Sequence, residues 1–449
     1  MSENKLVAKY NLFTAIAMVV GTVIGSGVFF KAEKILLATG GNLPLGILAW
    51  IIGGLIMMIC AYGFSILATK YSYVNGLVDY AEAACGKKYS FMIGWFLTMI
   101  YYPTMTSVLA WVSARYLCVI IGFDITGPQC MTIAMFFMVA SFAMNTLSPV
   151  LAGKFQVSTT VIKLIPLLLM AVVGTIFGAS NGMLVRNFTT VVSEVSGGNA
   201  LFTAVVATSF AYEGWIVTTT INAELENPKK NLPRALIVGT MIVAAVYILY
   251  YVGLAGAVDN EIIMAGGETG AKIAFETVFT RIGGSLLMVF IVISCLGTLN
   301  GLMLGCTRGI YALAARDLGP APHIFKQVDS VTNMPVNSGI FGILVTAAWL
   351  LYFYGANLTA PWFGPFCFDT SELPVITIYA SYIPIFLHIF KDKSLPTAKR
   401  VMAPILAICG SIFMVIAACF SHKMAVVYYL IVFAVIMAIG AKYLSKIKD

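Results

Sequence analysis

Runs of twenty or more predominantly apolar residues follow one another along almost the whole of this chain, and they leave few folds open to it. A hydrocarbon layer about 30 Å thick is crossed by roughly 20 helical residues rising 1.5 Å each. Only helices and closed barrels cross it with every backbone group paired. Of 449 residues, 60% are hydrophobic and 10% charged, a balance that excludes a soluble globule. The runs predict an all-α polytopic membrane protein of about twelve transmembrane helices, near 10–36, 44–69, 90–121, 128–147, 154–178, 199–222, 235–257, 283–314, 337–354, 372–390, 401–420 and 425–444. The first follows Lys5 and Lys9 without a cleavage pattern and is expected to stay in place.

The net charge of +8 follows the bilayer rather than a nucleic-acid surface, so no nucleic-acid partner is expected. With a cytoplasmic N-terminus, one side gathers Lys5, Lys9, Lys70, Lys87, Lys88, Lys154, Lys229, Lys230, Arg234, Arg316, Lys326, the basic group from Lys391 to Arg400, and Lys442, Lys446 and Lys448. The other side holds Lys31, Lys34, Arg186, Lys272, Arg281 and Lys423. That bias places both termini in the cytoplasm, in a multi-pass protein of the cytoplasmic membrane. Nine cysteines are scattered without a C-x-x-C pair and read as small apolar packing, with no metal or cofactor expected.

Five spans precede the loop at 180–199, and five follow before the loop at 391–399. An odd number sends the second set through the membrane in the opposite sense, which makes an inverted repeat. The expected units are 1–180, 181–395 and a pair of C-terminal helices in 396–449. The long connectors 71–89 and 259–280 occupy equivalent places in the two halves. Spans eleven and twelve carry no intramembrane charge and read as scaffold.

Two spans are interrupted. Gly21-Thr22-Val23-Ile24-Gly25-Ser26-Gly27-Val28-Phe29 breaks the first, and Ser209-Phe210-Ala211-Tyr212-Glu213-Gly214-Trp215 breaks the sixth. Backbone freed at that depth costs several kcal/mol per group unless it lines a cavity or binds something, on the order of 2–7. Paired breaks in two halves are the sequence mark of a transporter's site. The start of the outer half-helix offers N–H groups to a carboxylate, and the inner half ends in carbonyls near Val23 and Ile24 that suit an ammonium. The competing reading of Gly21 and Gly25 is a small-residue packing face. Glu213 is either a functional acid or a protonated structural one, and Phe210 is either a lid over a ligand or core.

Lys163 lies nine residues beyond Lys154, roughly 13 Å into the membrane, where an ammonium costs at least ~2.5 kcal/mol on insertion scales. Its expected partners are the broken first span and the start of the eighth. Lys154 reads as a snorkelling lysine, while Arg308, Arg316 and Asp317 read as a surface or gate ion-pair network. His323, His388 and His422 fall at span ends or in loops. No protease, nuclease or phosphate-binding motif is present in the sequence.

Together with Glu224-Leu225-Glu226-Asn227-Pro228-Lys229-Lys230-Asn231-Leu232-Pro233 and Arg308-Gly309-Ile310-Tyr311-Ala312-Leu313-Ala314-Ala315-Arg316-Asp317, the two breaks make the chain resemble the amino acid–polyamine–organocation superfamily. Within it, the bacterial relatives of the L-amino acid transporters are most similar. The resemblance implies a LeuT-like fold of five plus five inverted spans and two more. It also implies that Gly25, Ser26 and Gly27 hold a substrate carboxylate, that carbonyls at Val23, Phe210 and Ala211 hold its amine, and that Phe210 gates. Gln156 and Lys163 match a family pair in span five, in a region that holds sodium in sodium-coupled relatives. The ammonium then replaces the ion, and sodium independence follows. Two departures stand out: Glu213 replaces a glycine of many eukaryotic relatives, and the loop near 122–128, where those relatives carry the cysteine that binds a glycoprotein, is short, with Cys118 and Cys130 expected within spans. No such partner is expected.

The function implied is sodium-independent exchange of neutral, small L-amino acids such as alanine, serine and cysteine. A proton-coupled symporter using Lys163 or Glu213 is the alternative, and a membrane enzyme a more distant one.

Overall fold

In the computed structural model, which describes residues 11–71, 76–195, 199–358 and 360–447, every long apolar run is a helix. For 220–224 and 446 it covers the backbone alone. Lys5, Lys9 and Lys448, counted above on the cytoplasmic side, lie outside the described residues, as do 72–75 and 196–198 in two connectors.

Among the described residues, ten helices are long and apolar enough to cross a membrane: Leu43–Lys70, Lys87–Ile121, Pro128–Leu147, Pro149–Ser180, Ala200–Thr219, Pro228–Ala257, Glu268–Ala314, Val336–Ala356, Ala398–His422 and Met424–Ala441. Leu12–Val23 and Gly27–Ala38 form a further, broken span bent by 50°, and the shorter Leu373–Ile389 completes the order as span ten. Local chemistry sets the ends. Asn11 and Asn42 cap spans one and two through side-chain bonds to Thr14 and Leu45 N–H. Pro128, Pro149 and Pro228 open spans four, five and seven, where a missing N–H costs nothing.

The connector before span eight is itself helical, Asn260–Gly266 and then Glu268 onward. It breaks at Phe279 and Thr280, the latter at φ 65°, before span eight proper begins. The equivalent connector before span three holds Leu77–Cys85.

Span seven packs along span two and the first half of span one, and span eight along span three. The second half of span one lies on span six, while span eleven touches spans ten, six and two. Spans five and seven approach closely. Glycines face glycines there: a Cβ on Gly178 would strike Gly256, and one on Gly253 would strike the Met170 carbonyl. Small residues on both faces let the backbones touch, which is how helices associate where burial from water supplies no drive.

Candidate functional site

Span one ceases to be helical at Ile24–Ser26, span six at Tyr212–Gly214, and the two interruptions lie against each other. A Cβ on Gly27 would stand 2.6 Å from the Ala211 Cα. Gly214, at φ 109°, would put a Cβ 2.9 Å from the Thr22 carbonyl oxygen. Neither position accepts a side chain, for steric reasons at both and for backbone conformation at Gly214.

At the start of the second half of span one, the N–H groups of Ser26 and Gly27 make no hydrogen bond among the described residues. The Ser26 hydroxyl is 1% exposed and has no partner either. Donors at a helix N-terminus, with the positive end of its dipole behind them, suit a carboxylate.

The carbonyl end of the first half differs from the sequence expectation. Val23 is not free: its oxygen accepts the Tyr247 hydroxyl at 2.9 Å. Its second lone pair remains. Tyr247 stacks on Tyr212, whose own hydroxyl donates to the Trp50 carbonyl at 3.0 Å, so an aromatic group from spans two, six and seven fixes this carbonyl in place.

Lys163, 3% exposed and near the middle of span five, donates its ammonium to the Gly21 carbonyl in the same broken span. The expected second link, to span eight, is not made. Among the described residues this ammonium bonds Gly21 alone, and threonines line the contacts of span eight with spans one and five. Thr298 fills the space beside Gly25, and Thr159 that beside Gly297. Gln156 joins span eight instead, accepting from Asn300 at 3.3 Å, and Asn300 in turn accepts from Asn145 at 2.9 Å.

Glu213 is buried, and one of its oxygens accepts the Tyr101 hydroxyl at 3.0 Å while the other has no partner among the described residues. Tyr101 ends a π-helical stretch, Leu97–Tyr101, that interrupts span three. Such bulges re-aim side chains and recur at functional sites.

On the face opposite the termini, Phe210 meets Phe30 edge-on at 6.1 Å and carries the Lys31 ammonium 5.3 Å from its ring centre. Lys31 and Lys34 were expected to be peripheral charges. Lys31 instead has no exposed surface: it pairs with Glu372 at 2.5 Å and donates to Ser371 at 2.8 Å. His422 faces the other Glu372 oxygen at 2.9 Å, and Lys34 pairs with Asp369 at 3.3 Å. The C-terminal pair, read as scaffold, also reaches this cluster through the last residue of span eleven. Each member sits at a span end and looks like an ordinary interfacial charge. The available signal was that charges of both signs fall at one end of spans one and ten.

On the terminal face Arg316 binds Asp79 at 2.8 Å and Glu82 at 3.1 Å, Asp317 pairs with Lys326 at 2.7 Å, and Lys70 with Asp392 at 2.8 Å. That is the expected ion-pair network, with Arg308 exposed outside it. Cys118 and Cys130 are buried within helices on either side of the short turn at 122–127, as expected.

Residues 10–441 match the family model described as "Amino acid permease". The chain is 30% identical to the serine/threonine exchanger SteT of Bacillus subtilis (strain 168), over 92% of this chain and 91% of that protein. It is 24% identical to the human b(0,+)-type amino acid transporter 1, over 90% and 86%. The solved structure of MhsT in complex with L-phenylalanine covers 96% of this chain and 99% of its own, with a TM-score of 0.58 at 14% identity, a likeness of fold. With its two broken spans in a LeuT-like arrangement, this chain belongs to the amino acid permease family of the amino acid–polyamine–organocation superfamily, whose members are transporters and not enzymes.

Proposed function

We propose that the chain exchanges small neutral L-amino acids across the cytoplasmic membrane, with both termini in the cytoplasm and without sodium. The observation that carries this reading is the Lys163 ammonium seated on the Gly21 carbonyl, at the broken span where the family resemblance puts sodium in coupled relatives. A fixed cation there removes the need for a travelling one. The substrate carboxylate sits on the N–H groups of Gly25, Ser26 and Gly27. Its ammonium takes the remaining acceptor capacity of Val23, Ile24, Phe210 and Ala211, and Phe210 closes over it. Glu213 lines the side-chain end of the pocket. Exchange and small size are supported by the 30% identical relative, a serine/threonine exchanger.

Alternating access follows from the two ion clusters. Lys31–Glu372 over Phe210 closes the outer side, and Arg316 with Asp79 and Glu82 closes the cytoplasmic side. The halves 1–180 and 181–395 rock against each other, with 396–449 alongside. A glycoprotein partner is not needed, since the turn at 122–127 offers no cysteine.

Counterflow of labelled alanine, serine, threonine, leucine and lysine in reconstituted vesicles tests this. Uptake driven by luminal amino acid, with choline replacing sodium, is the expected result. Strict sodium dependence, or equal competition by amides and N-acetylated analogues, would overturn it. One observation favours a proton-coupled reading, the unpartnered second oxygen of Glu213. Net uptake driven by a pH gradient into vesicles without luminal substrate would select that reading.

A further inference from the structure

The turn between spans eleven and twelve reaches the ion cluster stacked over Phe210. Glu372 is divided between two ligands, one oxygen on Lys31 at 2.5 Å and the other on His422 at 2.9 Å. The Lys31 side chain has no exposed surface, that of Glu372 is 6% exposed and that of His422 16%. A carboxylate free to turn would leave a buried ammonium unpaired, which is far costlier than losing a surface pair. The rest of the cluster is fixed from the same side: Asp369 accepts the Ser371 N–H at 2.7 Å and pairs with Lys34. Around His422, then, stand Glu372 and Asp369 from the head of span ten, Lys31 and Lys34 from span one, and Lys423 from its own turn. Lys31 and Lys34 balance Asp369 and Glu372. A proton on the imidazole therefore adds positive charge directly beside a carboxylate.

We propose that His422 is a positioning residue of the outer closure, holding Glu372 in the orientation that keeps Lys31 over Phe210. The C-terminal helical pair thereby sets how readily the site opens outward. It holds more firmly when the imidazole is charged, since a charged donor to a carboxylate makes the stronger bond. This rests on the reading that Lys31–Glu372 closes the outer side. External acid then keeps the site closed, and alkali releases it.

The test uses the full chain carrying Ser26→Cys, a position beneath the closure, in vesicles exposed to an impermeant maleimide on the outer face. Labelling of the peptide containing position 26 is read by mass spectrometry, independently of any substrate. His422→Ala is expected to raise the labelling rate about tenfold at neutral pH, the effect of losing one hydrogen bond to a charged group. His422→Gln, which keeps a neutral donor, should restore slow labelling. Between about pH 8 and 5.5 the histidine protein should close progressively relative to His422→Gln, whose own profile supplies the thiol's intrinsic dependence. Wild-type labelling in His422→Ala, or identical pH profiles for the histidine and glutamine proteins, would overturn the assignment. Glu372→Ala separates the two readings. If it labels rapidly while His422→Ala does not, only the role of His422 falls; if it labels slowly, the closure itself is misplaced.

Discussion

Gly27 has no room for a side chain, since a Cβ there would overlap Ala211 across the two breaks. Gly27→Val is expected to abolish transport while the protein still inserts, checked by counterflow beside the monodispersity of the purified variant. Full activity would favour a mere packing role. Lys163→Ala should slow exchange at least tenfold and weaken apparent affinity, chiefly on the cytoplasmic side, with the fold retained; sided vesicle assays measure it. The pairing is to one carbonyl of span one, so the expected loss is of substrate-site geometry and not of contact with span eight. Glu213→Gln keeps the Tyr101 bond and should change substrate preference or pH profile by only a few fold, because the family resemblance tolerates glycine at this place. Complete loss of exchange at normal expression would move the assignment to proton coupling.

Between elements, a run of glycines joins spans five and seven backbone to backbone. Gly256→Leu would drive a side chain into the Gly174 backbone. Overpacking of that kind costs about 1–3 kcal/mol. A fall in the melting temperature of the detergent-solubilised protein checks it, with transport lost only as folded protein is lost. Most of the spans were legible because apolar length and proline or glycine punctuation are local properties. Pro128 and Leu147, for example, bound span four in both the sequence and the structure. The breaks were legible too, because glycines clustered in an apolar run weaken a helix that the bilayer otherwise holds intact. The Tyr247 bond to Val23 and the Lys31–Glu372–His422 group were not, for they join residues 50 to 341 positions apart whose individual environments look ordinary. The start of span five shows a milder form of this. Lys154 read as its beginning, but the helix opens at Pro149, so Lys163 lies deeper than roughly 13 Å and nearer 20 Å along it.

For the molecule as a whole, pH sensitivity should come from the outer cluster or Glu213 and not from the Lys70–Asp392 pair. Hydrogen bonds from Lys70 and from Ser394 hold the carboxyl of Asp392, in the loop after span ten, at about 2. A carboxyl depressed in the folded state stabilises above its unfolded value of ~3.9 and loses that contribution as pH falls through the folded value. The Lys70–Asp392 pair is therefore fully formed from pH 5 to 8. Asp392→Asn should leave the shape of the exchange–pH curve over that range unchanged, and a shifted curve would show the pair to be part of the titrating machinery.

An ammonium tethered to span five cannot follow its ion gradient across the bilayer. Under the proposed mechanism each turn of the cycle then returns the same lysine to the same leaflet depth and moves no net charge, one zwitterion entering as another leaves. A membrane potential, worth about 2.3 kcal/mol per charge for every 100 mV, finds nothing to act on. Such a protein cannot enlarge the cell's store of amino acids; it can only trade one kind for another, and the direction of trade is written by whichever concentrations the cell's metabolism maintains.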